Sequence, residues 1–563
     1  MMILDHFEEL IEAFRGSFPV HLLVFISLFI IISPASPVHA AHEFAVYRMQ
    51  QYDLQGRPYG CRNALVNVEA RSIDAKSITR RCLVTSLQDF AADKYKYAQE
   101  QNAAGLLVLL PQNLSSLSSE EQDRLLQLEQ DLMDEETSMP VYFTTVTDEL
   151  SDMFSDLKRG AGHGRQATAV EEMLSAVTGN GFQLVFSGQQ AKAQPDFQVF
   201  NIQGKLSGLG IEERLPTIAI IAHYDSYGVA PGLATGVDSN GSGVIALLEI
   251  ARLFGRFYAN AKTHAKYNLL FLLSGAGKFN YQGTKHWIEE HIDTGATEEA
   301  TLLSDISYAL CLDTIGSGAG LSLHVSKPPK EGSPIDLLMK SLQDLMQRHA
   351  PTKQISLVHK KINLADEFLA WEHERFSIRR LPAMTLSSLQ RHDDPRRSTI
   401  LDTRDGASVS LLADNIRMIV ESLARHIYGK TNDSAPLEVF SEDQNIEMSV
   451  KGWLEFLSSK PRAQQLITKD HPILTSLLAA MSRHLSDVQL IPFTAEKRDP
   501  EFVFYSGISG VMASYSVKPA LFDLFLALCI AAYLAVIYLL ISNFGMVQAG
   551  LRKVLGPAKL KRT

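Results

Sequence analysis

The sequence predicts an α/β protein: a largely parallel sheet with helices on both faces, a small α/β lobe ahead of it, and one C-terminal transmembrane helix. Three observations predict it. Across residues 166–430, short apolar runs alternate with amphipathic helical runs, the order of parallel strands joined by crossover helices. Residues 42–165 hold a smaller set of the same kind. Leu521 to Ile541 reads LFDLFLALCIAAYLAVIYLLI, and about twenty apolar residues rising 1.5 Å each cross a hydrocarbon core of ~30 Å.

Taken in order, residues 1–41 read as a signal peptide. The run Phe18–Ser33 is apolar but short for a span, and Val38 and Ala40 fit a signal-peptidase site before Ala41. The preceding segment is acidic (Asp5, Glu8, Glu9, Glu12) with only Arg15 opposing it, so an uncleaved anchor also fits. In the small lobe, Ala103–Pro111 (AAGLLVLLP) and Met139–Val146 (MPVYFTTV) are buried strands, and the acidic SSEEQDRLLQLEQDLMDEE between them is a surface helix.

In the 166–430 domain, TAVEEMLSAV, SGVIALLEIARLF and PIDLLMKSLQDLMQ are helices. The strands are FQVFNIQGKL, LPTIAIIAHYD, YNLLFLLSG, SYALCLDTIG and RRLPAMTLS. Residues 431–520, with VKGWLEFLSS, read as a helical juxtamembrane lead-in to the span at 521–541. The tail, 542–563, carries Arg552, Lys553, Lys559, Lys561 and Arg562 and no acid, and such flanks stay cytosolic. The expected topology is single-pass type I with a lumenal body. Lys559 and Lys561 resemble a dilysine retrieval signal of the endoplasmic reticulum (ER). Asn113, Asn240 and Asn432 begin N-x-S/T sequons, hence glycosylation candidates.

A net charge of -10 over 563 residues argues against nucleic acid, and 4 Cys exclude a disulfide-built scaffold. Cys61 and Cys82 fit a lumenal disulfide only if they are close, which the sequence leaves open. Cys311 reads as an inert core thiol, and Cys529 falls inside the span.

Open α/β sheets bind ligands at the carboxyl ends of their strands. His223 and Asp225 follow one strand, Asp238 in GVDSNGSG precedes a helix, Asp313 follows a strand in CLDTIG, and His392 follows the last strand in LQRHDDPRRS. These segments resemble the co-catalytic zinc aminopeptidase family, whose motifs run H-x-D, D-x-x-G-S-G, E-E-x-G-x-x-G-S, L-D-x-I-G and a late His. The resemblance implies His223 as a metal histidine, Asp225 as the carboxylate orienting it, Asp238 as the bridging carboxylate, Asp313 as a further metal carboxylate and His392 as the last histidine.

The two-glutamate loop departs from the pattern. The chain has SGAGKFNYQGT from Ser274 to Thr284, which sets Gly277 at the general-base position and Lys278 at a metal-ligand position. Glycine cannot take a proton from metal-bound water. An ammonium is a donor that cannot ligate, and ~4 Å from a dication it is repelled by roughly 8 kcal/mol at an effective dielectric of 20. The expectation is a vestigial metal site without metal or cofactor, in which Lys278 fills the void and pairs with Asp238 or Asp313. Trp371–Arg375 (WEHER) reads as a solvated or partner-facing surface.

Further stretches resemble the nicastrin-related branch of that family: AHEFAVYRMQQYDLQG, HVSKPP (His324–Pro329), AWEHERFSIRRLPA (Ala370–Ala383) and KRDPEFVFY (Lys497–Tyr505). This resemblance implies a non-catalytic scaffold in the ER membrane. The implied partners are the Nodal modulator protein, a small multipass membrane protein and the translocon, in multipass membrane protein insertion, with a link to Nodal signalling. The competing readings are a membrane-anchored lumenal zinc aminopeptidase, with Glu289 or Glu290 as replacement base, and a lumenal peptide receptor.

Overall fold

The structure is a computed structural model that describes residues 42–75, 77–133, 136–162, 181–211, 214–293, 306–318, 320–351, 353–430, 445–517 and 520–545. The predicted leader, the TAVEEMLSAV helix, Asn432, Lys559 and Lys561 lie outside these residues.

The first strands in chain order are β1 (His42–Arg48), β2 (Gln51–Leu54), β3 (Arg57–Gly60), β4 (Asn67–Ser72), β5 (Cys82–Ser86), β6 (Gly105–Leu110) and β7 (Val141–Thr145). They are accompanied by α1 (Ala92–Glu100), α2 (Ser119–Met133) and α3 (Asp148–Gly162). The two strands foreseen in this lobe form: all six residues of β6 are buried, as an aliphatic run between two layers requires.

The lobe is, however, a closed barrel, ordered β1-β19-β8-β4-β5-β6-β7, completed by β8 (Gly181–Phe186) and by β19 (Ser509–Val517) from the far end of the chain. Residues 431–520 therefore do more than lead helically toward the last helix. A polar-apolar run such as SGVMASYSV alternates for a strand, and long-range pairing with β1 and β8 supplies its hydrogen bonds. Cys61 and Cys82 are separate, buried free thiols, so the disulfide reading gives way to two packed side chains.

The second layer system is built on β10 (Val199–Leu206), β11 (Thr217–His223), β12 (Asn268–Ser274), β13 (Ile306–Leu312), β14 (Gly320–Val325), β15 (Gln354–His359), β16 (Ala383–Ser387) and β17 (Ser486–Phe493). Their order is β15-β14-β16-β13-β11-β12-β10-β17. The centre, β12-β11-β13-β16, is parallel, while β10 is antiparallel to both of its neighbours and β14 is antiparallel to β16. The sheet is mixed rather than largely parallel at its flanks. A small sheet, β3-β2-β18-β9, adds β9 (Ala193–Gln194) and β18 (Phe502–Tyr505).

Helices cover both faces. On one lie α4 (Gly241–Ala259), α6 (Pro334–His349), α8 (Val409–Ile427), α9 (Asn445–Ser458) and α10 (Pro472–Ser482), joined through Val244, Leu247, Leu342, Ile416, Val450 and Leu477. On the other, α5 (Gln282–Asp293) and α7 (His373–Ile378) bring Trp287, Ile288 and Phe376 onto Ile221, Leu272 and Cys311. The start of α4 closes tightly on β13, because a Cβ at Gly243 would stand 2.5 Å from the Leu312 carbonyl oxygen.

The final helix, α11 (Ala520–Ser542), has 23 residues. From Leu526 to Leu539 its described side chains are almost all exposed. No helix among the described residues is by itself long and apolar enough to cross a membrane.

The lobes meet over a shared apolar cluster, in which Val229, Ala230 and Ile400 of the sheet domain pack with Met49, Leu128 and Phe143 of the barrel. At this interface Glu129 of α2 is buried. It accepts hydrogen bonds from the backbone N–H of Val229 (3.3 Å) and Ile400 (3.0 Å) and from the Thr399 hydroxyl. Burial raises its carboxyl to about 7, against those three bonds.

Candidate functional site

The polar residues foreseen at strand exits converge at the carboxyl end of the central parallel strands. β11 is apolar and buried over its whole length, and its last residue delivers His223 to the site. Parallel register places His223 opposite Ser274, the last residue of β12, so the loop from Gly275 crosses over the β11 exit. That loop holds Ala276, Asn280 and Tyr281 at φ of 50°, 59° and 53°, a left-handed conformation that costs of order 1 kcal/mol for each non-glycine residue. Asp225 supports it: its carboxylate accepts the backbone N–H of Gly277 (2.7 Å) and of Lys278 (3.0 Å).

Asp225 thus anchors a loop; the partner of the His223 Nδ1 is Glu372, at 3.2 Å. Glu372 also accepts from the hydroxyls of Ser274 (2.8 Å) and Thr284 (2.6 Å). The surface reading of Trp371–Arg375 is overturned here. Trp371, Glu372, His373 and Glu374 are all buried, because α7 packs between β13, β16 and α5; the Glu372 carboxylate, His373 Nδ1 and one Glu374 oxygen find partners inside, while His373 Nε2 and the other Glu374 oxygen have none among the described residues. His373, bonded to Thr385 at 2.9 Å, is held near 3 by burial, hence neutral.

Gly277 is packed rather than vacant. A Cβ there would sit 2.2 Å from the Cβ of His223, closer than any real contact. A glutamate at this position has no room on this backbone.

Lys278 points into the site, but not onto the carboxylates expected of it. Its ammonium donates to the Ser239 hydroxyl (2.7 Å) and to the Arg397 carbonyl (2.9 Å). Burial and the neighbouring Arg397 lower it to about 8, against the pull of Asp313, Asp225 and Asp402. Arg397 itself takes Asp313, with guanidinium and carboxylate 3.2 Å apart, the Asp313 side chain buried and the Arg397 side chain nearly so. It also donates to the carbonyls of His392 (3.0 Å) and Ala370 (3.3 Å) and to the Tyr281 hydroxyl (3.1 Å), and lies 4.4 Å from the centre of the Trp371 ring. Burial alone would raise Asp313; Arg397 and Lys278 hold it below the ordinary carboxylate range.

Asp238 accepts the Gly316 N–H at 2.7 Å, and burial with the nearby Asp402 raises it to about 6. Asp402 in turn receives the N–H groups of Asp238 (2.9 Å) and Ser239 (2.6 Å). Beneath them the buried Arg462 donates to the carbonyls of Tyr224, Thr235 and Gly236. Asn240 is fully buried, at φ 59°, with its amide nitrogen donating to the carbonyls of His223 and Asp225. A glycan cannot be carried on that nitrogen, whereas Asn113 is exposed.

His392 lines a cleft of about 500 Å³ together with Tyr52, Tyr227, Lys278, Tyr281 and Phe368, and His223 is not among its lining residues. The donor set does not fit a two-metal centre. Guanidinium and ammonium groups stand among the carboxylates, and no three His, Cys, Asp or Glu among the described residues are grouped to hold an ion.

Residues 201–403 match Peptidase family M28. In solved structures the fold recurs in the gamma-secretase component nicastrin, with a TM-score of 0.58 at 12% identity, over 84% of this chain and 99% of that one. In sequence the chain is 46% identical to the BOS complex subunit ncln of Danio rerio over 98% of both, and 30% identical to Nicalin of Caenorhabditis elegans over 95% of this chain and 97% of that one. The chain belongs to the nicalin family. Its M28-type domain accounts for the aminopeptidase-like strand exits read from the sequence.

What sequence reasoning missed in this nicalin-family site are Glu372, Arg397, Asp402 and Arg462. Arg397 lies five residues beyond His392 in a run of charge, HDDPRR, which by itself reads as solvated surface. A signal was present in the mismatch: carboxylates retained at strand exits without metal ligands to match require a buried cation somewhere.

Proposed function

We propose that this chain is a non-catalytic scaffold subunit of the ER membrane, acting in a translocon-associated complex that supports multipass membrane protein biogenesis. The observation that carries the non-catalytic reading is the Arg397–Asp313 pair with Lys278 beside it, where metal chemistry would need open carboxylates. The subunit reading draws on relatives whose names place them in the BOS complex. Its partners are the Nodal modulator protein, a small multipass membrane protein and the translocon, and a link to Nodal signalling follows the same resemblance.

In this reading residues 1–41 are a signal peptide, α11 is the single type I span, Asn113 is glycosylated, and Lys559 and Lys561 retrieve the chain to the ER. The span reading is supported by the 23-residue length of α11, about 34 Å at 1.5 Å per residue. An aminopeptidase reading would need a new base. Glu289 instead faces Arg379 at 3.5 Å, with both side chains partly in solvent.

The test is zinc stoichiometry and hydrolysis of aminoacyl reporter substrates by the full chain in detergent. The expected result is no stoichiometric zinc and no turnover. Two bound zinc ions with turnover would establish the enzyme reading.

A further inference from the structure

The described sheets have open edges at β15, β17, β3 and β9, the barrel being closed. Proteins guard such edges with proline, bulges, charge or brevity, since unpaired N–H and C=O groups invite another strand. β17 carries Pro492, and its pairing with β10 shifts register opposite Lys205, with Asp487 at φ 50°. β3 carries Pro58, and β9 has two residues. β15 has none of these devices. Its sequence, QISLVH, holds no proline, no acid or lysine and no bulge over six residues in register with β14. Leu357 within it is 42% exposed, and Leu364 in the following loop is 78% exposed.

The charge around this edge is one-sided. β14 and β15 are parallel, so Val325 and His359 end side by side. The chain beyond each end brings Lys327 and Lys330 to the same corner as Lys360 and Lys361. Lys327, Lys330 and Lys361 are exposed and make no ion pair among the described residues; Lys360 has only Asp366, at 3.9 Å. The other acids of these two segments are Glu331 and Glu367, and Glu367 is taken by Arg57 at 3.0 Å and by the Tyr59 hydroxyl at 2.8 Å. These lysines flank the strand rather than lie along it. They leave its backbone free to pair while selecting what pairs, in a chain whose overall charge is -10.

We propose that β15 is a docking edge for an extended acidic segment of a partner protein, which adds as a ninth strand and sets its carboxylates against the lysine corner. It rests on the subunit reading only for the existence of a partner. Backbone pairing along β15 supplies affinity, apolar side chains cover Leu357, and the lysines supply selectivity and register.

The test uses the full chain in detergent and a fluorescein-labelled probe of alternating glutamate and valine. A lysine–valine probe and a glutamate–valine probe N-methylated at alternate amides serve as controls. The acidic probe should bind, and the other two should bind at least about tenfold more weakly. The Lys360→Glu/Lys361→Glu and Lys327→Glu/Lys330→Glu variants, on exposed turns that leave the fold intact, should each weaken the acidic probe by about tenfold, and Leu357→Lys should do the same.

Equal binding of the N-methylated probe would reduce the site to surface electrostatics and overturn strand addition. Absence of binding by any probe would overturn the proposal outright. So would a concentration-dependent dimer that Leu357→Lys dissolves, since the edge would then serve a second copy. Zinc and turnover are measured on the same sample, so a failed edge is distinguished from a failed scaffold reading.

Discussion

Two buried carboxylates, about as inaccessible as each other, are treated in opposite ways. At the strand exits Asp313 has Arg397 at 3.2 Å and lies below the ordinary carboxylate range. At the lobe interface Glu129 has three neutral donors and no cation, and burial lifts it to about 7. Hydrogen bonds alone do not repay the desolvation of a carboxylate here, whereas a guanidinium in contact does. A site that coordinates no ion can therefore keep its acids ionised only by supplying its own cations, and the cation contacting Asp313 comes from a loop, 392–402, remote in sequence from the strand exits.

The comparison breaks most directly at Arg397. Arg397→Met leaves Asp313 buried and uncompensated, and should destabilise the chain by about 3–5 kcal/mol in urea unfolding. An Arg397→Met/Asp313→Asn double variant should recover a substantial part of that. A single variant within 1 kcal/mol of the native chain would mean that the pair contributes little, and that Lys278 suffices to hold Asp313 ionised.

The pH dependence separates the two carboxylates by sign. Asp313, depressed in the fold, contributes stability that is present above the ordinary aspartate range and lost as pH falls through its lowered value. Glu129, raised from 4.5 to about 7, contributes the reverse: stability present below 4.5 and lost as pH rises toward 7. A shift of that size corresponds to at most about 3 kcal/mol. Asp238, raised to about 6, adds a slope in the same direction. Buried histidines such as His373, held near 3, and His324, held near 4, oppose this slope below about 6.5, because the unfolded chain protonates them first. The Glu129 contribution is therefore read as the difference between the native chain and Glu129→Gln, which should shrink as pH rises from 4.5 toward 7. A difference that does not change with pH would show that water reaches Glu129.

How much of this was legible follows from where each signal lies along the chain. Strand exits carrying His223, Asp225, Asp238 and Asp313 were readable because local hydrophobic runs set the strands and the polar residues mark their ends. Gly277 and Lys278 could be singled out because a motif has a register, and the structure sets Gly277 against His223 and the Lys278 ammonium on Ser239. Arg397, Glu372 and Arg462 were not, since their burial is decided by what other segments cover. In isolation WEHER and HDDPRR look solvated, yet one packs under β13 and β16 and the other reaches through to Asp313. Barrel closure failed for the same reason: β19 pairs with β1 across nearly the whole chain, which no local period reports.

Gly277 tests how firmly the site is committed to its cations. Gly277→Ala should cost about 1–3 kcal/mol by overpacking against His223, and the longer glutamate more, without gain of zinc. A Gly277→Glu/Lys278→Glu variant that folds normally and binds zinc would show that the loop can open and that these strand exits can assemble a metal site.

The smallest effect distinguishes the two described sequons and returns to the same contrast between a packed site and an open surface. Asn113 caps a short turn, its Oδ1 accepting the Ser115 N–H at 2.9 Å, with the residue exposed on the barrel lobe. Asn240 has its Nδ2 committed to two carbonyls beneath the site. Asn113→Gln should remove a glycan-sized mass from the chain expressed through the secretory pathway while moving stability by less than about 0.5 kcal/mol. Asn240→Gln should leave the mass unchanged and destabilise by about 1–3 kcal/mol, because two buried carbonyls lose their donor and a left-handed residue loses its best side chain. A mass shift at Asn240 would mean that its Nδ2 is open to modification, and that the hydrogen bonds to the His223 and Asp225 carbonyls are not kept.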